Sequence, residues 1–337
     1  MMAERGSERP FQQPKPTEYK GDDRVVVNEG QVRRVAGLMA GLEEVKPYDY
    51  VAPALPPRNH PLTVDYFFVT TLQQFSFWTV KDGRYHRPLI DTIGGERLKG
   101  AYYLWMAYTR RIDSDPGFFS PERQANQGLD DMLALFRSDD GEEVMPAVEM
   151  HLEAAHRYGR SMLTLGWTPQ SVLETASASD RPLRTLLAML DHVGGYREDP
   201  LRKKSALLAQ ILSDRPERLF EFGVDEALPP VMDYHLMRSC LRMGLVDVVD
   251  DDLRQSLEER RLVSAQDEWA VRYAAYRAVE PLPELSGRSM AAVGDYLFLS
   301  RRRCPEMTEP DCASCSADPV CAHRKELFQP VIRTDYY

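Results

Sequence analysis

The feature that most restricts this chain is a long succession of apolar residues spaced three and four apart. The spacing recurs in stretches 97–112, 121–137, 144–164, 181–192, 200–213, 231–244, 250–261, 266–280 and 287–302. Residues at that period share one face of an α-helix, so each stretch carries an apolar stripe that needs another element to cover it. Several starts are punctuated. "SPE" at 120–122, "SDRP" at 179–182 and "EDP" at 198–200 set a hydroxyl or acidic residue at or near proline, as helix caps and first turns require. No repeat of fixed period is present.

The upstream third reads differently. Residues 1–30 are polar and rich in charge, Pro and Gly, which predicts mobility, and a short helix follows over 30–44. "KPYDYVAPALPPRNHPL" carries five prolines and predicts a connector. "VDYFFVTTLQQFSFWTV" fits either a strand or a buried helix followed by a turn, because periodicity does not separate the two in so apolar a run. "KDGRYHRPLI" predicts a hairpin turning at Asp-Gly. The expected architecture is therefore mainly α, with a small β element near residues 65–90. A chain of 337 residues suits one large domain or two lobes sharing a cleft. The boundaries expected are a mobile segment and connector over 1–60, a helical/β lobe over 61–195, catalytic helices over 196–302 and a four-cysteine loop with tail over 303–337.

Charge narrows the partners. A formal net charge of −10 suits a small ligand better than duplex DNA, whose phosphates call for a positive field. Local clusters at "LRKK", "EERR" and "SRRRC" keep a basic patch open. No apolar run long enough to span a membrane is present, and the N-terminus lacks the apolar core of a secretory signal, so a cytoplasmic protein is expected.

Of five cysteines, Cys240 stands alone and four crowd into "CPEMTEPDCASCSADPVC". In a chain with no export signal, Cys304, Cys312, Cys315 and Cys321 point to metal binding rather than disulfides. Gaps of seven, two and five residues resemble the C-terminal [4Fe–4S] loop of the endonuclease III class of DNA glycosylases, which usually has six in the first gap. Zinc is the alternative, although zinc ribbons more often use two Cys-x-x-Cys knuckles. Either centre would pin the fold rather than carry chemistry.

"DYHLMRSCLR" places Asp233, His235, Arg238 and Arg242 in the pattern Asp-x-His-x-x-Arg-x-x-x-Arg. It is similar to the helix-hairpin-helix glycosylase superfamily, in which the aspartate opens a helix beside the sugar. The resemblance implies that Asp233 is catalytic, with Tyr234 beside it at the substrate. A fixed carboxylate stabilises the oxocarbenium character left when a base departs. The competing reading is an ordinary helix N-cap. Upstream, "DPLRKKSALLAQIL" offers a lysine. On one continuous helix Lys204 lies at the margin of the apolar face and Lys203 points away. Lys204 is thus the candidate catalytic amine and Lys203 a substrate contact, against snorkelling surface lysines. The superfamily's Leu-Pro-Gly-Val-Gly hairpin is missing, and "FGVDEALPPVMDYH" stands in its place.

Over residues 60–245 the order of short motifs resembles the queuosine salvage family of nucleotide N-glycosidases. The likeness runs through "QFSFWTV", "LKGAYYLWMAYTRRIDSDPGFFSPERQA", "YREDPLRKKSALLAQIL" and "DYHLMRSCLRMGLV". It implies hydrolysis of the N-glycosidic bond of a 7-deazaguanine (queuosine-type) nucleoside or nucleoside 5′-phosphate. Base excision from DNA is the alternative. A planar base needs an aromatic clamp, for which Phe75, Phe77 and Trp78 are candidates, set against plain core packing. Asp91 or Glu96 could bond a purine-like edge, though nothing singles them out.

Overall fold

The structure, a computed structural model, describes residues 20–337. Among these residues the fold is mainly helical with three two-stranded antiparallel sheets. The expected mobility of residues 1–30 fails for its last part. Strand β1, Val25–Val27, pairs with β6, Val246–Val248, and residues 1–19 lie outside the described part. Helix α1, Glu29–Gly41, follows at once, capped by the Asn28 side chain on Gln31 N.

The ambiguous aromatic run is a helix and then a turn. Helix α2 spans Thr63–Leu72, and Tyr66, Phe67, Phe68, Val69 and Leu72 are all fully buried. A helix buried on nearly every side, with only Val64 and Asp65 partly exposed, has no broad polar face to betray its period. The predicted hairpin forms from β2, Trp78–Lys81, and β3, Arg84–Pro88. Its turn residues Asp82 and Gly83 both have positive φ, 51° and 70°, as a type I′ turn demands. A second hairpin, β4 (Ile90–Ile93) and β5 (Glu96–Lys99), takes the first residues of what periodicity assigns to a helix. Gly100, at φ 51°, then turns the chain into α3, Ala101–Ile112.

Most of the remaining helices follow the periodic stretches, while two, Pro169–Ser177 and Leu282–Ser286, fall outside them. The stretch 121–137 is cut in two, α4 at Pro121–Ala125 and α5 at Leu129–Phe136, with Gly128 opening the second. Next come α6, Val148–Leu165, α7, Pro169–Ser177, and α8, Pro182–Leu190. Helix α6 passes so close to α4 at Gly159 that a Cβ there would lie 2.3 Å from the Ala125 nitrogen, so only glycine fits. The chain continues through α9, Lys203–Asp214, α10, Tyr234–Met243, and α11, Asp251–Glu258. It ends its helical part with α12, Ala265–Val279, α13, Leu282–Ser286, and α14, Met290–Leu299. Between α9 and α10 no helix or strand forms, so the region of the missing glycosylase hairpin is irregular. None of the described helices is long and apolar enough to cross a membrane.

Buried apolar residues gather in two large clusters and one small one. The first unites α2, α3, α6, α8 and α9; the second unites α1, α10, α12 and α14 with β1 and β6. The last residues run back beside the first hairpin. Ser76 N donates to Tyr337 O at 3.1 Å, and Arg333 donates to the carbonyls of Ser76 and Trp78. Tyr337 is thereby brought to a cavity lined from both large clusters.

Candidate active site

That cavity, about 1000 Å³ counting its open mouth, receives the N-termini of α3, α9 and α10 and the C-terminus of α14. Asp233 is the N-cap of α10: its Oδ1 accepts from His235 N at 2.8 Å and Leu236 N at 2.9 Å. Oδ2 has no hydrogen-bond partner among the described residues, and the side chain lines the cavity. Cap and functional group are therefore the same residue, one oxygen for each task. Burial raises the carboxyl's pKa, while Lys203 and the two backbone bonds oppose the rise.

The two lysines exchange the places expected of them. Lys203 opens α9, and its Nζ donates to Gln74 O at 2.9 Å on the cavity wall. Burial lowers its pKa to about 8, against the pull of Asp233 and Asp199. Lys204 does not line the cavity. Its Nζ donates to Gly195 O at 3.0 Å over the Phe75 ring, and burial brings it to about 7. Two assumptions behind the expected order fail. The helix starts at Lys203 rather than at the head of the 200–213 stretch, and nearly all of α9 is buried, so there is no outward face for Lys203 to take.

The aromatic candidates divide in the same way. Phe77 and Tyr234 line the cavity. Phe75 stacks on His151 with centroids 4.3 Å apart, and Trp78 lies between Tyr85 and the Arg333 guanidinium, so neither reaches it. Asp91 and Glu96, on the second hairpin, are also outside. The walls instead take Tyr102 and Trp105 from α3 and Phe298 from α14.

Sequence reasoning also missed two charged residues near the end of α14. Asp295 is 8% exposed, and its Oδ2 accepts from Tyr48 N at 2.8 Å and Gln210 Nε2 at 3.1 Å. Burial pushes its carboxyl up to about 7, with Asp214 adding to the effect. Arg301 stacks on the Phe298 ring at 3.8 Å and makes no hydrogen bond or ion pair among the described residues. Asp295 and Phe298 are three apart in α14, and Arg301, in the 3-10 turn Ser300–Arg302 that follows, is three further on, a spacing that alone does not tell a functional face from an ordinary helix end. Lys99, in contrast, is committed to the buried Glu306 at 2.6 Å. His235 is kept neutral by burial, with Nδ1 against Arg238 at 3.0 Å.

Cys304, Cys312, Cys315 and Cys321 form no disulfide and line one separate cavity. Arg242 Nη1 donates to Cys304 Sγ at 3.2 Å. Among the described residues, Cys312 also stands with Asp318 and His323 as donors within 4.8 Å of one another. Cys240 sits in the second apolar cluster, its thiol pushed up to about 12 by burial.

Residues 55–212 match the family model described as queuosine salvage protein. No curated protein matches the chain. The matched segment includes Phe77, Tyr102, Trp105 and Lys203, whereas Asp233, Asp295, Arg301 and the four clustered cysteines lie beyond it.

Proposed function

Starting from the queuosine salvage match, we propose that this protein is an N-glycosidase acting on a 7-deazaguanine (queuosine-type) nucleoside or nucleoside 5′-phosphate. The observation that carries the reading is Asp233: one oxygen held by two backbone amides, the other free in an aromatic-walled cavity beside Lys203. The base packs between Phe77 and the aromatic rings opposite, with its sugar over Asp233 Oδ2. The bond from C1′ to the base nitrogen breaks with both electrons leaving on the base. The carboxylate stabilises the positive charge that builds on the sugar, and a water oxygen then bonds to C1′. Of the two water protons, one stays on the new hydroxyl and the other ends on the base. Lys203 opposes the burial-driven rise of the Asp233 carboxyl and binds the sugar, and Arg301, which makes no hydrogen bond or ion pair among the described residues, is available to a 5′-phosphate. Lys204 has no part, because its amine is spent on Gly195.

The test is to offer queuosine, queuosine 5′-phosphate and damaged-base duplexes separately and to measure released base by chromatography. Base freed from the nucleoside or nucleotide by wild type, and lost in Asp233→Asn, supports the reading. Release from duplex DNA alone replaces it with base excision.

We also propose that Cys304, Cys312, Cys315 and Cys321 hold a [4Fe–4S] cluster with a structural role. Four thiolates on one zinc at about 2.3 Å would stand roughly 3.8 Å apart. Among the described residues, the only three His, Cys, Asp or Glu donors within 4.8 Å of one another are Cys312, Asp318 and His323, so the four sulfurs are more widely spread. Iron and sulfide by elemental analysis, with a brown colour, support the cluster; stoichiometric zinc in a colourless protein replaces it.

A further inference from the structure

We propose that Asp295 is the residue that selects a guanine-type base, accepting hydrogen bonds from the ring N–H and exocyclic amino group of its amidine edge. The inference deepens the proposed function, since it rests on the cavity holding a 7-deazaguanine. Asp295 lies beyond the family-matched segment, so the assignment comes from its surroundings.

A carboxylate in this position needs an explanation. It is buried in the cavity wall, has no cationic partner among the described residues, and has Asp214 as an unfavourable neighbour. Its structural task, tying Tyr48 N and Gln210 Nε2 to α14, occupies Oδ2 alone. An asparagine would perform that task without the desolvation cost of a charge. Oδ1 has no hydrogen-bond partner among the described residues. A free acceptor on a buried acid calls for donors brought by a ligand, and two adjacent N–H groups are what the amidine edge of a guanine supplies.

The neighbouring wall complements this. Gln74 Nε2 and Trp105 Nε1 are buried donors without partners among the described residues, and both residues line the same cavity. They need an acceptor, and a guanine-type base carries a carbonyl next to its ring N–H. An adenine-type edge has no carbonyl for these donors and no adjacent pair of N–H groups for Asp295. The donors and the acid therefore select the same base class, while Asp233 and Lys203 attend to the sugar.

The experiment measures binding of free bases, with no turnover involved. 7-Deazaguanine and 7-deazahypoxanthine, which lacks the exocyclic amino group, are titrated calorimetrically into wild type and Asp295→Asn. Wild type is expected to prefer 7-deazaguanine at least about tenfold, because the hypoxanthine leaves a buried polar group unpaired. In Asp295→Asn that preference falls to near unity, with an unchanged or higher Tm showing that the variant is folded. Equal binding by wild type, or an undiminished preference in the variant, overturns the assignment. If neither base binds wild type, both the assignment and the base-binding reading fall. Binding with the expected preference but no cleavage of the nucleotide leaves Asp295 standing and removes only the proposed reaction.

Discussion

Two groups of buried charge in this protein are treated in opposite ways. Around Arg272 everything is paired. The guanidinium donates to both oxygens of Asp199 at 2.8 and 2.7 Å, Glu268 lies 3.8 Å from its Nε, and Tyr337 donates to Glu268 at 2.8 Å. In the cavity, Asp233 and Asp295 each keep an oxygen without a hydrogen-bond partner among the described residues, and Arg301 makes no ion pair there, feeling Asp233 only at longer range. A saturated network holds elements together: Asp199 also binds Lys203 N at the start of α9, so the paired group fixes the backbone that presents the unpaired one. Unsaturated buried charge costs stability and is retained where a ligand completes it.

Four variants test that contrast. The largest effect is expected at Arg272, where Arg272→Ala strands the Asp199 carboxylate in the core. Breaking one partner of a buried pair costs about 3–5 kcal/mol, read as a fall in denaturant midpoint. A neutral outcome would dissolve the contrast. Asp233→Asn comes next: its side-chain oxygen can still cap α10, so Tm should hold while kcat drops about 10²–10³-fold, as for loss of one electrostatic stabiliser.

Asp295→Asn should act in the reverse sense on stability. The acid's pKa is about 7 when folded and near 3.8 when unfolded, so the folded form binds its proton more tightly. Its presence is harmless below the unfolded value, and stability is lost as pH rises from there through about 7. The variant should match wild type near pH 4 and exceed it at pH 8 by on the order of 2 kcal/mol, measured by chemical unfolding at the two pH values. The smallest effect is expected at Lys204. Lys204→Met should leave kcat and KM for the nucleotide unchanged, because its ammonium faces Gly195 rather than the cavity. A loss of activity with intact folding would return the catalytic amine to that position.

Legibility in the sequence followed the range of the forces involved. Helices α6, α8, α10 and α12 lie where three-to-four spacing predicts them, because the period is local, and α10 and α12 are also capped by the Asp233 and Ser264 side chains. Helix α7 was missed although Thr168 and Pro169 announce it as cap and first residue. Asp233 was legible as a helix cap because a cap is a local motif, whereas its expected role rested on the resemblance. Phe77 and Trp78 were not separable, since adjacent residues in extended chain face opposite ways and the pattern does not say which way is inward. Asp295 and Arg301 escaped because their meaning depends on which loops pack against α14. The exchange of Lys203 and Lys204 turned on where α9 begins, a boundary set by Asp199 holding the Lys203 amide.

The pairing of Val25–Val27 with Val246–Val248 has a consequence for biogenesis. During synthesis the first strand emerges more than two hundred residues before its mate, and must stay unpaired while α2 through α10 are made. The second apolar cluster, which contains Val25, Val246 and Val248, can close only when nearly the whole polypeptide has left the ribosome. A nascent chain arrested before residue 246 would expose one side of α1 and offer it to chaperones, whereas the cluster around α2 and α6 could already be dry.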